Sequence, residues 1–282
     1  VTTKGFADSL KIGYQNRAHL FNRQISKPQP LYEEVVEIEQ RVGANGEVLK
    51  NFDPDKVYSQ LAQYFEQGLR SCAIVLLHGY KYPAHEQAIA SIAQDIGFTQ
   101  VSLSHQVSGL IKFISRGDTT VVDAYLSPVL RRYVSQTSDA LGNVPLQFMQ
   151  SSGGLIDGHF FKGKDAILSG PAGGVVAMVE TARAAGFEKI IGFDMGGTST
   201  DVSLFNHNYE RSWEAEVAGV RLRTPMMKIH TVAAGGGSML TFDGKRLLVG
   251  PESSGAYPGP SCYRNDGPLS VTDINVLLGK IQ

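Results

Sequence analysis

The run IGFDMGGTSTDVSLF, residues 191–205, constrains this chain more than any other. An apolar, β-prone segment ends at Asp194. After Met195 come two glycines and three hydroxyl residues, and Asp201 opens a second β-prone segment. Strand, tight bend, strand is the direct reading. Gly196 and Gly197 remove Cβ atoms from the bend, so backbone N–H groups there can approach charged oxygens closely. Thr198, Ser199 and Thr200 add neutral donors, and Asp194 and Asp201 stand at the two strand edges, suited to hold a cation directly or through water. Those residue types in that order fit the phosphates of a nucleotide with its Mg²⁺, because phosphoryl transfer rests on positioning and charge neutralisation. The same run also fits an ordinary hairpin with acids at its ends.

The surrounding chain alternates in the α/β manner. Val57, Leu61, Phe65 and Leu69 recur at helical spacing after Pro54, and CAIVLL (72–77) reads as a buried strand. PAHEQAIASIAQDIG puts Ile89, Ile92 and Ile96 on one helical face with Gly97 as its stop, and TQVSLS follows as a strand. This order predicts a parallel strand pair joined by a helix. A further helix is expected from about Thr120 to Leu141, kinked or started at Pro128. PLQFMQ (145–150) then reads as a strand, SGPAGGVVAMVETARAAG as a helix stopped at Gly186, and YERSWEAEVAG as a strand. At 282 residues two lobes are expected, with a boundary near 115–119.

Two other glycine sites are candidates for the same ligand. Gly235, Gly236, Gly237 and Ser238 in HTVAAGGGSML let a base or sugar pass against the backbone, or form a flexible loop. Ser151, Ser152, Gly153 and Gly154 lie at the end of an expected strand, where open α/β sheets place ligands, or form a plain strand exit. LSGPAGGV either aims a helix N-terminus at an anion or packs helix against sheet. GHFFKGKD (158–165) has P-loop spacing, but Asp165 stands where Ser or Thr should hold magnesium, so the match reads as chance. His78, His85 and His105 fit no zinc spacing, and all seven histidines read as surface or core-satisfied; His230 is singled out only because it precedes the triple glycine. Cys262 lacks a histidine partner in sequence and reads as a buried thiol, and Asp273 as an N-cap or strand-end acid.

A formal net charge of -1 gives no reason to expect nucleic acid or an acidic membrane as partner. No apolar run is long enough to span a bilayer, and VTTKGFADSL lacks the core of a secretory signal. Two widely separated cysteines suit a reducing compartment, and a cytoplasmic protein is expected. The missing initiator Met and the abrupt end at LLGKIQ lead to the expectation of a piece of a longer polypeptide.

FDMGGTSTDVSL resembles the second phosphate motif of the superfamily of actin, sugar kinases and heat-shock chaperone ATPases. Across the whole chain the ordered blocks VTTKGF, RVGANGEV, VSLSHQVSGLIKF, RGDTTVVDAYLSPVLRRYV, FMQSSGGL, AILSGPAGGVV, HTVAAGGGS, GPESSGAYPGPSCYR and VTDINVLLGK resemble the hydantoinase/oxoprolinase family. The resemblance implies an incomplete α/β fold of the actin-like, ribonuclease H-like ATPase type in two lobes. Residues 1–115 would be the end of the family's N-terminal domain, and 116–282 the start of its hydantoinase A domain. It implies ATP- and Mg-dependent opening of a small cyclic amide, first of all 5-oxo-L-proline to L-glutamate, as in glutathione metabolism, through phosphorylation of the lactam oxygen. Hydantoin opening and ketone carboxylation are the related alternatives, and an actin-like nucleotide switch without turnover is the alternative of another class.

Matching positions make Asp194 and Asp201 the catalytic and metal-holding acids, with Gly196, Gly197, Thr198, Ser199, Thr200 and Gly235 to Ser238 on the nucleotide. The implied partners are the rest of the polypeptide or a hydantoinase B-type subunit, with a homo-oligomer open. The family's earlier Asp-x-Gly-Gly-Thr-x-Thr-Asp turn has no copy in this sequence, so weak ATP binding is expected of the chain by itself. Lys228 stands where the family pattern leads one to expect an acid, which argues against a metal role for His230.

Overall fold

A computed structural model describes residues 1–14, 21, 23, 27–142, 144–217 and 219–281. The chain packs as two compact units: Val1–Ser169 with Ser212–Met226, and Gly170–Arg211 with Met227–Gln282.

In the first unit β1 (Thr2–Thr3) runs parallel to β2 (Glu37–Ile38). Helix α1 (Pro54–Glu66) starts where the sequence puts it. Pro54 occupies the first turn, and the Asp53 carboxylate caps the amides of Asp55 and Lys56 at 3.1 and 3.4 Å. Strand β3 (Ser71–Ile74), helix α2 (Ala84–Ile96) and strand β4 (Gln100–Leu103) form the expected crossover, with Ser71 opposite Gln100 in parallel register. Gly97 ends α2 at φ 115°, a left-handed conformation that favours glycine. The strand is shorter than CAIVLL, because Leu76 N–H turns to the Glu86 carboxylate instead of continuing a ladder. Val57, Leu61, Ile74, Leu76, Ile89 and Ala93 form the core, and each large aliphatic there contributes about 1.5–3 kcal/mol on burial.

Helix α3 (Phe113–Leu141) begins well before Thr120 and carries Pro128 inside it without ending. SRGDTT lies largely ahead of the expected start at Thr120, yet Ser115, Arg116, Thr119 and Thr120 are helical, buried and hydrogen-bonded. Tertiary partners override local propensity here. Against α3 packs the hairpin of Ala215–Val217 and Val220–Leu222, with Val122, Leu222 and Met226 at the contact and Arg223 N–H donating to Thr119 Oγ1 at 2.8 Å. The expected strand YERSWEAEVAG is broken: Ser212 Oγ donates to Glu214 O and closes a bend, leaving short pieces including Ala215–Val217. Strands β5 (Gln147–Met149) and β6 (Leu155–Asp157) pair antiparallel around Ser151 to Gly154.

In the second unit helix α4 (Ser169–Ala184) precedes an antiparallel sheet of β7 (Lys189–Met195), β8 (Thr200–Asn206) and β9 (Ile229–Val232), with β8 between the other two. Ala172 and Val175 of the helix cluster with Met227, Met178 and Ile229. A Cβ on Gly192 would collide with Met178, so that glycine permits close helix–sheet approach. Strands β10 (Ser238–Phe242) and β11 (Leu247–Ser253) form a hairpin, and α5 (Val271–Leu277) opens with a capping box of Ser270 and Asp273. No helix among the described residues is long and apolar enough to cross a membrane.

Burial raises the Asp118 carboxyl on α3 to about 6, with Arg221 opposing the shift. A raised carboxyl holds its proton in the folded chain between the unfolded value near 3.9 and about 6, so Asp118 lowers stability as pH climbs through that window. Asp118→Asn should therefore raise the melting temperature at pH 7.5 and flatten its pH dependence between those values, read by thermal denaturation across pH.

Candidate functional site

Asp194 and Asp201 are direct partners across β7 and β8. Paired positions share a sheet face with Cβ atoms about 4.5–5.5 Å apart, and like charges so placed repel. A cation between them removes that repulsion. Asp201 Oδ1 accepts a hydrogen bond from Thr231 Oγ1 at 2.6 Å, and Thr231 is its register partner on β9. The Asp194 side chain is exposed and lies beside α4, where a Cβ on Gly174 would stand 3.7 Å from Oδ2. That is ordinary van der Waals distance, and a Cβ on Gly170 would meet nothing within 4 Å, so packing does not demand glycine at either position.

The bend between the strands closes by Gly196 N–H to Ser199 O at 2.9 Å. Gly196, Gly197 and Thr198 are exposed, and the amides of Gly197, Thr198 and Ser199 take no partner among the described residues. Thr200 does something else. It is buried, and its hydroxyl donates to Ala234 O at 2.6 Å, tying the bend to the triple-glycine loop.

That loop is the bend's backing. Gly236 N–H donates to Gly196 O at 2.9 Å and Gly237 N–H to Gly197 O at 2.6 Å, while Gly235 N–H donates to Ser238 Oγ at 2.9 Å. A Cβ on Gly235 would stand 2.8 Å from Gly196 O and from the Gly197 carbonyl, closer than any side chain is tolerated. The glycines let two backbones stack, and their amides face protein, not solvent. Thr272 and Ser254 complete the support: Thr272 N–H and Oγ1 donate to Gly236 O at 2.7 and 2.8 Å, and Ser254 N–H donates to Gly237 O at 2.8 Å. Sequence reasoning missed both as site residues; the only signal was their place in the blocks GPESSGAYPGPSCYR and VTDINVLLGK.

Ser151 to Gly154 lie in the other unit. Ser151 is buried, with its amide and hydroxyl donating to Asp165 O at 2.8 and 2.7 Å, and Gln150 N–H closes the hairpin on Gly154 O at 2.8 Å. GHFFKGKD forms no phosphate loop: Lys164 pairs with Asp165 at 2.5 Å and its amide donates to Asp123 at 3.2 Å. Cys262 is exposed, contrary to the buried thiol expected. It lies on a short turn whose amide donates to Asp273 Oδ1 at 2.7 Å, and its hydrogen bond to that carboxylate raises the thiol's pKa, which disfavours the nucleophilic thiolate. Desolvation acts to raise Asp273, but donors from Cys262 and Ser270 prevail and hold it at about 2. Its capping role is the third helical position, with Ser270 as N-cap. His230 is exposed opposite Val202, and no group of three or more His, Cys, Asp or Glu side chains gathers as a metal site among the described residues.

A strand pair carries matched acids around an open Gly-Gly-Thr bend backed by a second glycine loop, and the α/β framework around it is shared with solved structures of the actin-like ATPase fold. The chain belongs to the hydantoinase/oxoprolinase family: the hydantoinase/oxoprolinase model matches residues 116–282, and that of the family's N-terminal region matches 1–97. It is 44% identical to 5-oxoprolinase of Saccharomyces cerevisiae over all of this chain and 24% of that protein. The crystal structure of ATP-dependent caprolactamase from Pseudomonas jessenii superposes with a TM-score of 0.80 at 33% identity, covering 100% of this chain and 43% of that one. Nucleotide-free acetone carboxylase gives 0.76 at 23% identity with the same coverage, a likeness of fold. The chain spans about a quarter of the length of the 5-oxoprolinases it matches.

Gly235→Ala should force the two backbones apart, costing about 1–3 kcal/mol of stability, measured by denaturant titration of the chain. Gly244→Ala, at an open position with φ 92°, should cost backbone strain only and leave the bend's amide exchange rates unchanged, whereas Gly235→Ala should accelerate exchange at Gly236 and Gly237.

Proposed function

We propose that this chain is part of an ATP-dependent cyclic amidase that opens 5-oxo-L-proline to L-glutamate, with release of ADP and phosphate. The carrying observation is the open bend: three amides without partners among the described residues, between two register-matched carboxylates. The amides of Gly197, Thr198 and Ser199, with the hydroxyls of Thr198 and Ser199, donate to the nucleotide's phosphate oxygens. Thr200, Gly235, Gly236, Gly237 and Ser238 act behind them, holding the bend in shape.

Asp194 and Asp201 would hold Mg²⁺ directly or through water. The donor set fits: Mg²⁺ commonly takes one or two carboxylates, completing its octahedron with water and phosphate. When bound, the ion offsets charge on the phosphates and supports transfer of the terminal phosphoryl group to the lactam oxygen. Thr231 orients Asp201 through its 2.6 Å hydrogen bond. Ser151 to Gly154 close a hairpin of the first unit and carry no phosphate role in this reading.

Identity of 44% to a 5-oxoprolinase favours that substrate, and likeness to a caprolactamase favours a lactam more broadly. The remainder of the polypeptide is the partner expected from the relatives' length. The free thiols of Cys72 and Cys262 favour the cytoplasm.

In the full-length protein, 5-oxoproline should stimulate ADP release in a Mg²⁺-dependent manner. Asp194→Asn and Asp201→Asn should each lower that rate at least ~100-fold. Nucleotide binding coupled to a shape change, without turnover of any lactam, hydantoin or ketone, would instead identify a nucleotide switch and contradict the proposal.

A further inference from the structure

The first unit carries a cavity of about 370 Å³ that lies apart from the glycine bend. It begins at the Val1 end of β1, and its walls are strand edges and helices. Val36 stands on one edge, with Ser71, Cys72 and Ala73 of β3 on the other. Leu61 of α1 covers it from the sheet face of Cys72 and Ile74, which share its apolar cluster. Ala124 of α3 covers it from the opposite face. There Ser102, the register partner of Ala73, donates to Asp123 of α3 at 2.7 Å.

The ladder around β1 runs into this cavity. Thr2 N–H donates to Val36 O at 2.8 Å on one side, and Val75 N–H donates to Val1 O at 2.9 Å on the other. Thr2 bridges Val75 in parallel register, which sets Val1 opposite Ile74. Carried back along the chain, that register puts the position just ahead of Val1 opposite Ala73, and the one before it opposite Cys72. The N–H and C=O of one strand residue point to the same side. Ala73 O accepts from the Val1 amine at 2.7 Å, so Ala73 N–H faces the cavity. Val36 O accepts from Thr2, so Val36 N–H faces it from the other edge. Val36 is buried, and its amide takes no partner among the described residues, an arrangement that buried backbone avoids.

The Val1 amine itself sits as a ladder amide. An ammonium carries a full charge and three donors, and burial pushes this one below its ordinary pKa. Its bond to Ala73 O is the single bond that a neutral peptide N–H makes in a parallel pair.

We propose that in the full-length protein the residues directly ahead of Val1 extend β1 through this cavity, as a strand between Val36 and β3. About three residues, at ~3.3 Å each, reach from Val1 to the level of Ser71. Helices cover both faces of the cavity, so the strand is apolar on both, as parallel strands buried on two sides are. The 5-oxoprolinases are about four times the length of this chain, which leaves polypeptide to fill the place. A small apolar guest would fill volume only. A strand also meets the amides of Val36 and Ala73 in register and turns the Val1 amine into a peptide N–H.

The test uses the full-length protein. Cys72 supplies one thiol, and a cysteine placed two residues ahead of Val1 supplies the other. Opposed strand positions lie about 4.8 Å apart, within disulfide reach. Oxidation with copper phenanthroline should join the two, read as a cross-linked peptide by mass spectrometry and lost in Cys72→Ser. Moving the new cysteine to the position just ahead of Val1 turns its thiol to the other sheet face and should lower the yield at least ~10-fold. If the cysteine variant melts early, hydrogen exchange of the unsubstituted protein replaces it. The amides of Val36, Ala73 and the two residues ahead of Val1 should then exchange at least ~100-fold slower than in unstructured chain. Equal cross-linking from both positions, or none from either in a folded protein, would overturn the proposal. So would protection of Val36 and Ala73 without protection ahead of Val1, which marks a different occupant. No activity is read, so failure here leaves the amidase reading untouched.

Discussion

The second unit depends on two glycine backbones lying against each other. Gly236 and Gly237 donate to Gly196 and Gly197, and no Cβ fits at Gly235 or Gly237 without meeting the opposite chain. This stacking satisfies the bend's carbonyls from behind and leaves the amides of Gly197, Thr198 and Ser199 in front. A bend whose carbonyls were free could turn them toward an incoming phosphate and repel it. Pinning them fixes the donor face.

Charge completes the arrangement. The register of β7 and β8 puts Asp194 opposite Asp201, a pairing that is unfavourable alone and favourable around a divalent ion. Thr231 holds one of the pair by a hydroxyl donor. The sheet supplies spacing, and the ion and phosphates would supply the compensating charge. Elsewhere the chain settles buried charge internally, as Glu86 does with His105 and Arg116. The bend's carboxylates, Asp194 exposed and Asp201 half-buried, pair with no cation among the described residues, which is why they read as a ligand site.

Much of this was legible in the sequence, because local rules agreed with the tertiary outcome. Pro54 and Gly97 marked the ends of their helices, and GG flanked by β-prone runs marked the bend. The failures have a common cause. SRGDTT is helical and Cys262 is exposed because distant partners decide them: Arg116 reaches Ser104 and Leu76, and the Cys262 turn is held by Asp273. Thr200 and the triple glycine were read as ligand contacts because hydroxyls and bare backbone suit phosphate, yet their hydrogen bonds go to the protein.

The central claim is that the open bend grips the nucleotide's phosphates while its two acids hold the ion. A structure of the full-length protein with Mg²⁺ and a non-hydrolysable ATP analogue tests it most directly. The account predicts phosphate oxygens at hydrogen-bonding distance from the amides of Gly197 to Ser199, with Mg²⁺ bound by Asp194 and Asp201 directly or through one water. Phosphates seated elsewhere, with the bend facing only solvent, would contradict it.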